Sequence, residues 1–283
     1  MTTNLKHQEL LERVQIRGTP GGLNLIAYSG GVDSTLVARL VYEVFPQNTL
    51  AVIGVSHAMP REQLELARDL AHHIGVPLRE LPTTEGEVAG YVANAGESCY
   101  HCKTTLYQTM EDFSRALALE LRERAGEVVL FNGTNADDLT DPTRLGLLAA
   151  REYRVASPLE ALSKDSVRAL SRDLGLPNWS YAASPCLRSR LQYGVPATPV
   201  HLRQVEVAEQ VVRRRCGLSP QENLRVRHLA GDVACIELDP PWIDAALAGR
   251  EGIEAELLAL GYAAVSIRPF RSGSLSYLAD IAV

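Results

Sequence analysis

Leu23-Asn24-Leu25-Ile26-Ala27-Tyr28-Ser29-Gly30-Gly31-Val32-Asp33-Ser34-Thr35 is the stretch whose reading decides the fold. A short apolar run tightens into Ser-Gly-Gly and then continues through Asp-Ser-Thr into Leu36-Val37-Ala38-Arg39-Leu40-Val41. The first part predicts a buried parallel strand and the last a helix that starts directly after it. Two glycines let the backbone approach a bound group and adopt conformations that a Cβ disfavours. Backbone N–H groups at the helix start, with the hydroxyls of Ser29, Ser34 and Thr35, form a cradle for an anion. Asp33 is the discordant member, and Mg²⁺ between its carboxylate and bound phosphates would reconcile it.

No Gly-Lys-Ser/Thr follows the glycines, so the stretch is not a Walker A loop, nor does it match the dinucleotide fingerprint. Ser29-Gly30-Gly31-Val32-Asp33-Ser34 resembles the PP-loop of ATP pyrophosphatases, enzymes that split ATP into AMP and pyrophosphate. The loop names a chemistry and leaves the substrate open.

Working outward, apolar positions at helical spacing predict a leading helix from Leu5 to Ile16. Thr49–Ser56 and Pro77–Leu81 read as strands, with a helix from Pro60 to Ile74 between them. That is the β-α-β-α-β order of a parallel sheet with right-handed crossovers. Ser56 and His57 end the second strand, where an adenosine contact and a solvated loop are both open readings. A helix from Cys102 to Ala125 leads to the strand Glu127–Asn132. Gly133-Thr134-Asn135-Ala136-Asp137-Asp138 follows it, and its carboxylates suit Mg²⁺ or ribose binding, with Gly133 and Asp137 as the candidates. The alternative is an Asx-rich turn capping the next helix. Tyr153–Ser157 is expected as the last strand of this sheet, and Ser163–Leu174 as a helix with a Ser N-cap and Gly175 as its stop.

Composition shifts at Leu176-Pro177-Asn178-Trp179. Residues 1–176 are therefore expected to be an ATP pyrophosphatase domain, an α/β parallel sheet with helices on both faces. Residues 177–283 are expected to be a smaller C-terminal α+β domain that binds substrate. The irregular stretch to Pro199 holds Ser184-Pro185-Cys186-Leu187-Arg188-Ser189-Arg190, and an irregular run of that length inside a fold is usually functional or disordered. A helix from His201 to Arg215 with exposed Glu206 and Glu209 follows. Asn223–Leu229 and Asp232–Leu238 alternate as a hairpin around Ala230-Gly231. Two helices and a strand at Ala264–Arg268 complete the domain.

A net charge of −6 argues against a chain-wide nucleic-acid surface. No apolar run approaches the length of a membrane span and the N-terminus lacks a signal-peptide core, so a cytoplasmic location is expected. The five cysteines are an odd number, which disfavours a disulfide framework. Cys99-Tyr100-His101-Cys102 is half a zinc site, a redox pair or two small buried residues near a helix start. A structural zinc wants four ligands, and Cys186 supplies only a third thiolate. Three thiolates suit an iron–sulfur cluster with one iron open, although spacing alone does not decide the metal. Cys216 and Cys235 are expected to be buried structural thiols.

Taken together the chain resembles the LarE family of ATP-dependent sulfur transferases over nearly its whole length. The resemblance is carried by Tyr28–Thr35, Glu97-Ser98-Cys99-Tyr100-His101-Cys102-Lys103, Gly133–Asp138, Ala183–Leu187 with Ser189-Arg190, and Arg225-Val226-Arg227-His228. It implies the PP-loop (adenine nucleotide alpha hydrolase-like) fold, with ATP and Mg²⁺ at Ser29, Gly30, Gly31, Asp33, Ser34 and Thr35. Family members that have all three cysteines bind a [4Fe-4S] cluster, which here would use Cys99, Cys102 and Cys186. Catalysis would rest on Cys186 and Asp33.

The implied substrate is a small nucleotide, pyridinium-3,5-biscarboxylic acid mononucleotide, converted to thiocarboxylates for the nickel-pincer cofactor. Its phosphate would sit on Arg225 and Arg227, which share one strand face and whose guanidinium forks match phosphate geometry. Glu206 or Glu209, and Asp232 or Asp244, would add carboxylates nearby. The family assembles as hexamers. The rival is a PP-loop tRNA thiolase with a similar cluster, which should carry a zinc ribbon or a strongly basic face. A second rival is an ammonia-using PP-loop ligase, to which the three thiols would be irrelevant.

Overall fold

The computed structural model describes residues 3–120, 127–141, 143–219, 222–271 and 273–275. In chain order its elements are α1 (Thr3–Arg17), β1 (Leu23–Ala27), α2 (Val32–Val44), β2 (Thr49–Val55), α3 (Arg61–Ile74), β3 (Leu78–Pro82), α4 (Ala89–Val92), α5 (Ser98–Glu120) and β4 (Val128–Phe131). There follow α6 (Ala136–Thr140), α7 (Gly146–Glu152), α8 (Lys164–Asp173), α9 (Pro199–Cys216), β5 (Leu224–Leu229), β6 (Val233–Leu238), α10 (Ile243–Ala248), α11 (Arg250–Ala259) and β7 (Ala264–Pro269). The part of the expected helix beyond Glu120 lies outside the described residues.

The chain forms two compact units. The first comprises residues 1–56, 61–85 and 99–181, and the second residues 57–60, 86–98 and 182–283. A single cut at residue 176 leaves the short segments 57–60 and 86–98 with the first half of the chain, whereas their contacts are with the second unit.

The first unit is built on a parallel sheet of order β3-β2-β1-β4. β1 is central because Leu25 and Ile26 are wholly buried, one on each face of the pleat. From β1 the chain winds outward to β2 and β3, then returns to place β4 on the other side of β1. The C-terminal ends of β1 and β4 thus flank the switch point at which open α/β sheets bind ligands. Leu36, Val37, Leu40 and Val41 bury one stripe of α2, and Leu25, Val52, Leu106, Met110 and Leu130 belong to the core. Each such side chain contributes about 1.5–3 kcal/mol by leaving water.

One expected element is absent. Tyr153–Ser157 forms no strand; it meets the sheet through a single parallel bridge between Phe131 and Ala156. Arg154 takes a positive φ of 50°, which breaks the extended run before it can pair further.

The second unit carries a three-stranded sheet, β5-β6-β7, in which β5 and β6 are antiparallel and β6 and β7 parallel. Its core joins Val211 and Val212 of α9 to Leu224, Val226, Ile236, Leu238, Ile253 and Leu257. Gly217 ends α9 in the left-handed conformation, with φ at +67°, after the N-cap hydroxyl of Thr198 has accepted from the His201 amide. Asn94 is wholly buried here, and its side-chain amide donates to the carbonyls of Gln192 at 2.9 Å and Val195 at 3.0 Å. This one side chain ties segment 86–98 to the loop before α9. Cys235 is buried as expected, but Cys216 at the end of α9 is only half-buried, and that burial raises its thiol pKa.

Candidate active site

In the first unit the turn after β1 is a closed network. The Ser34 hydroxyl accepts from the Ser29 amide at 3.2 Å, lies 3.1 Å from the Ser29 hydroxyl and donates to the Gly31 carbonyl at 3.1 Å. Gly30 has a φ of +69°, and a Cβ there would sit 2.8 Å from the Ala67 Cα, so both conformation and space demand glycine. α2 starts at Val32 with no side-chain cap, so the first N–H groups of the helix have no intrahelical partner. Those groups and the positive end of the helix dipole draw an anion.

Gln63 and Asn178 brace this turn. Gln63 donates to the Ser29 carbonyl at 2.7 Å. Asn178, almost wholly buried, donates to both the Gly30 carbonyl and the Thr35 hydroxyl, each at 3.1 Å. Thr35 therefore differs from the role expected of it. It is wholly buried and holds the loop from inside, while Ser29 and Ser34 form the loop's own hydroxyl pair.

The loop after β4 closes on the same turn. A Cβ on Gly133 would lie 2.8 Å from the Asp33 carbonyl carbon and the Ser34 nitrogen, so only glycine admits this approach. Asn135 caps α6 by accepting from the Asp138 amide at 3.1 Å. Burial first, and the charge of Asp138 second, raise the Asp33 pKa; hydrogen bonding from Asn135 and the charges of Lys164 and Arg168 oppose them. Asp138, the carboxylate whose charge acts on Asp33, is buried and paired with Arg144 at 2.9 Å and Lys164 at 3.1 Å. Asp137, the residue expected from the sequence, instead accepts the Lys164 amide at 2.6 Å. Two carboxylates that repel each other near the start of α2 suit a divalent cation, which would relieve that repulsion. Ser56 donates to the buried Glu85 at 2.5 Å, and His57 belongs to the other unit.

Cys99 and Cys102 lie in the first turns of α5, three residues apart and so on one helix face, both half-buried. Two thiols at that spacing suit a soft metal centre.

In the second unit Cys186 is half-buried and directly precedes a 3₁₀ turn at Leu187–Arg190. Its carbonyl accepts from the Ser189 hydroxyl at 2.8 Å and from Arg190 at 3.1 Å. Arg190, only 2% exposed, also donates to the Pro185 carbonyl and forks onto Glu209 at 2.9 and 3.3 Å. Glu209 accepts the Val226 amide at 3.1 Å as well, so one ion pair joins the Cys186 loop, α9 and β5.

Arg225 and Arg227 flank Val226 on β5, and both are buried. Arg227 pairs with the wholly buried Glu237 at 2.8 Å and donates to the Ser189 carbonyl at 3.0 Å; Arg225 donates to the Leu224 carbonyl at 2.6 Å and to that of Ala183. Burial, with Arg190, Arg227 and Arg213 close by, lowers the Arg225 pKa to about 10 against the pull of Glu209. Packed guanidinium groups of one sign gain by receiving an anion.

The carboxylates expected near this cluster separate. Glu206 is buried, not exposed, and pairs with Arg203 at 2.7 Å. Glu209 belongs to the Cys186 loop, Asp232 sits beside His228 at 3.2 Å, and Asp244 is exposed at the start of α10. Sequence reasoning missed Asn178, Asn94 and the Arg190–Glu209 fork; only Arg190 carried a signal, through its place in the Cys186 motif.

The Asparagine synthase family matches residues 26–217. A GMP synthase (glutamine-hydrolyzing) of Bradyrhizobium sp. is 29% identical over 185 residues, 58% of this chain and 33% of that protein. An uncharacterized protein of Synechocystis sp. is 42% identical over 221 residues, 77% of each chain. The pyridinium-3,5-bisthiocarboxylic acid mononucleotide synthase of Lactiplantibacillus plantarum is 30% identical over 262 residues, 89% of this chain and 88% of that one. A similarity that runs through the PP-loop and on across the second unit goes beyond a shared nucleotide fold, and by it this chain belongs to the LarE family of PP-loop, ATP-dependent sulfurtransferases.

Proposed function

We propose that this enzyme converts the carboxylates of pyridinium-3,5-biscarboxylic acid mononucleotide to thiocarboxylates, for the nickel-pincer nucleotide cofactor. A substrate carboxylate oxygen attacks the α-phosphorus of ATP, the bond to the bridging oxygen breaks and pyrophosphate leaves, giving an acyl adenylate. A hydrosulfide sulfur then attacks the acyl carbon, its proton is lost and AMP departs with the bonding pair. Two carboxylates allow two rounds.

The first-turn N–H groups of α2, with Ser29, Gly30, Gly31 and Ser34, take the charge that develops on pyrophosphate. Asp33 and Asp138 would hold Mg²⁺ against it. Gly133 lets the second loop close on the first, and Asp137 fixes that loop to the start of α8. Arg225 and Arg227 receive the substrate phosphate. Cys99, Cys102 and Cys186 would hold a [4Fe-4S] cluster, and the chemistry such a cluster supplies is an open iron that binds an exchangeable sulfur. The reading gives activation to residues 1–176 and substrate capture to residues 177–283, in a cytoplasmic homo-hexamer. Among the described residues no helix is long and apolar enough to cross a membrane.

The observation that carries the reading is the Arg190–Glu209 pair, which fastens the Cys186 carbonyl and the arginine strand β5 to one another. A sulfur-bearing residue and a phosphate seat held in one rigid network are what delivery of sulfur to a bound nucleotide requires. Anaerobic purification followed by assay of iron, labile sulfide, pyrophosphate and thiocarboxylate tests it. The expected result is iron with labile sulfide, and thiocarboxylate formed from ATP and the bis-acid nucleotide. Iron-free protein that turns Cys186 into dehydroalanine would overturn the cluster, and thiolation of tRNA in place of the small nucleotide would overturn the substrate.

A further inference from the structure

His201, His228 and Asp232 of the second unit each present a ligand atom, and these atoms all lie within 4.8 Å of one another. They come from three elements: the first turn of α9, the end of β5 and the β5–β6 turn. No part of the proposed sulfur-transfer chemistry uses the two imidazoles.

Their hydrogen bonds suit ligation. The Nδ1 atom of His201 lies 2.8 Å from the Pro196 carbonyl oxygen and 3.0 Å from the Thr198 hydroxyl. A carbonyl only accepts, so Nδ1 carries the proton and Nε2 keeps its lone pair. Metal-ligating histidines are oriented in this way, with the other ring nitrogen donating to a carbonyl or carboxylate. His228 is 1% exposed; its Nε2 faces Asp232 Oδ1 at 3.2 Å, and among the described residues its buried Nδ1 has no partner. Tyr262 packs on the His228 ring with centroids 5.0 Å apart, and its buried hydroxyl also has no partner among the described residues. Asp232 is exposed, so the cluster opens to solvent on that side. Two nitrogen donors, one carboxylate and solvent access make an incomplete first-row coordination sphere, not a closed structural zinc cage.

We propose that His201, His228 and Asp232 form a binding site for a divalent first-row transition ion such as Zn²⁺, separate from the three cysteines. Bound there, the ion would staple the start of α9 to β5, the strand that carries Arg225 and Arg227.

The test uses the full chain, freed of iron and treated with chelator, with Cys99, Cys102 and Cys186 replaced by serine so that these thiolates do not compete. Co²⁺ alone is titrated in and followed by its visible d–d absorption, with Zn²⁺ added as competitor. The expected result is one equivalent of Co²⁺ displaced by Zn²⁺, with no thiolate-to-cobalt charge-transfer band. His201→Gln and Asp232→Asn should each weaken binding by about tenfold or more. Neither substitution falls on a buried core residue, and far-UV circular dichroism of each should match the parent. Absence of Co²⁺ binding at millimolar concentration, or equal affinity in parent and variants, would overturn the site. Because no substrate or ATP is present, failure of the proposed enzymatic activity leaves this outcome unaffected.

Discussion

Around residues 28–35 the groups suited to an anion are backbone N–H bonds and serine hydroxyls drawn from one turn of chain. Around Cys186 they are the guanidinium groups of Arg225 and Arg227 on β5, while Arg190 is taken up by Glu209 and by the Pro185 and Cys186 carbonyls. The first cradle carries partial charges and tolerates a carboxylate, Asp33, in its midst. The second carries whole charges, and burial first, with its like-charged neighbours second, lowers the Arg225 pKa to about 10. Preorganised dipoles suit a charge that appears and departs within the reaction, as pyrophosphate does. Fixed cations suit a group that stays bound through both rounds, as the substrate phosphate would.

Substitutions can break the contrast, beginning with the largest effect. Cys186→Ala should abolish thiocarboxylate formation while pyrophosphate release continues. If pyrophosphate release vanished too, the two regions would not divide the labour as described. Asp33→Asn should slow pyrophosphate release by about a hundredfold or more, the scale of losing one preorganised electrostatic group.

The same substitution should raise the melting temperature of the ligand-free enzyme. A carboxyl whose folded pKa lies above its unfolded value binds more protons when folded, so wild-type stability falls as pH climbs from the ordinary carboxylate range through the raised value. The melting-temperature gap between Asp33→Asn and wild type should therefore open over that interval and then level off. A gap independent of pH would remove Asp33 as its cause.

Arg190→Ala should destabilise the second unit by about 3–5 kcal/mol in a urea titration, because it removes a guanidinium only 2% exposed and leaves Glu209, 12% exposed, without its partner. Gly133→Ala should lose about 1–3 kcal/mol to overpacking and raise the KM for ATP, since the added methyl meets the Asp33–Ser34 backbone. Asn178→Ala is the mildest, at about 1–2 kcal/mol, and should act on ATP affinity through the Gly30 carbonyl and Thr35. An unchanged KM for ATP in Asn178→Ala would reduce that residue to a packing role.

What could be read from the chain followed the range of the forces involved. β1, the glycine turn and α2 are legible because strand alternation, left-handed glycine and helix start signals act within a few residues. The β5–β6 hairpin is legible for the same reason, although its turn takes in Asp232 as well as Ala230 and Gly231, with positive φ at Gly231 (+75°) and Asp232 (+57°). The failed strand at Tyr153–Ser157 shows the limit: its composition favours extension, but a strand exists only where a neighbour accepts its hydrogen bonds, and here one bridge forms.

Within the candidate site, residue types were legible and pairings were not. Sequence by itself determined that a glycine turn and a helix follow β1, that Cys235 is buried, and that two arginines stand two apart on one strand. Only the tertiary structure decided that the charge of Asp138 raises the Asp33 pKa while Asp137 accepts the Lys164 amide, that Thr35 turns inward to Asn178, and that Glu209 holds the Cys186 loop while Glu206 pairs with Arg203. Adjacent carboxylates, or two glutamates one helical turn apart, have the same local propensities. Which of them is used depends on where a partner 19 or 143 residues away comes to rest, and burial, acting through the whole packed chain, settles that.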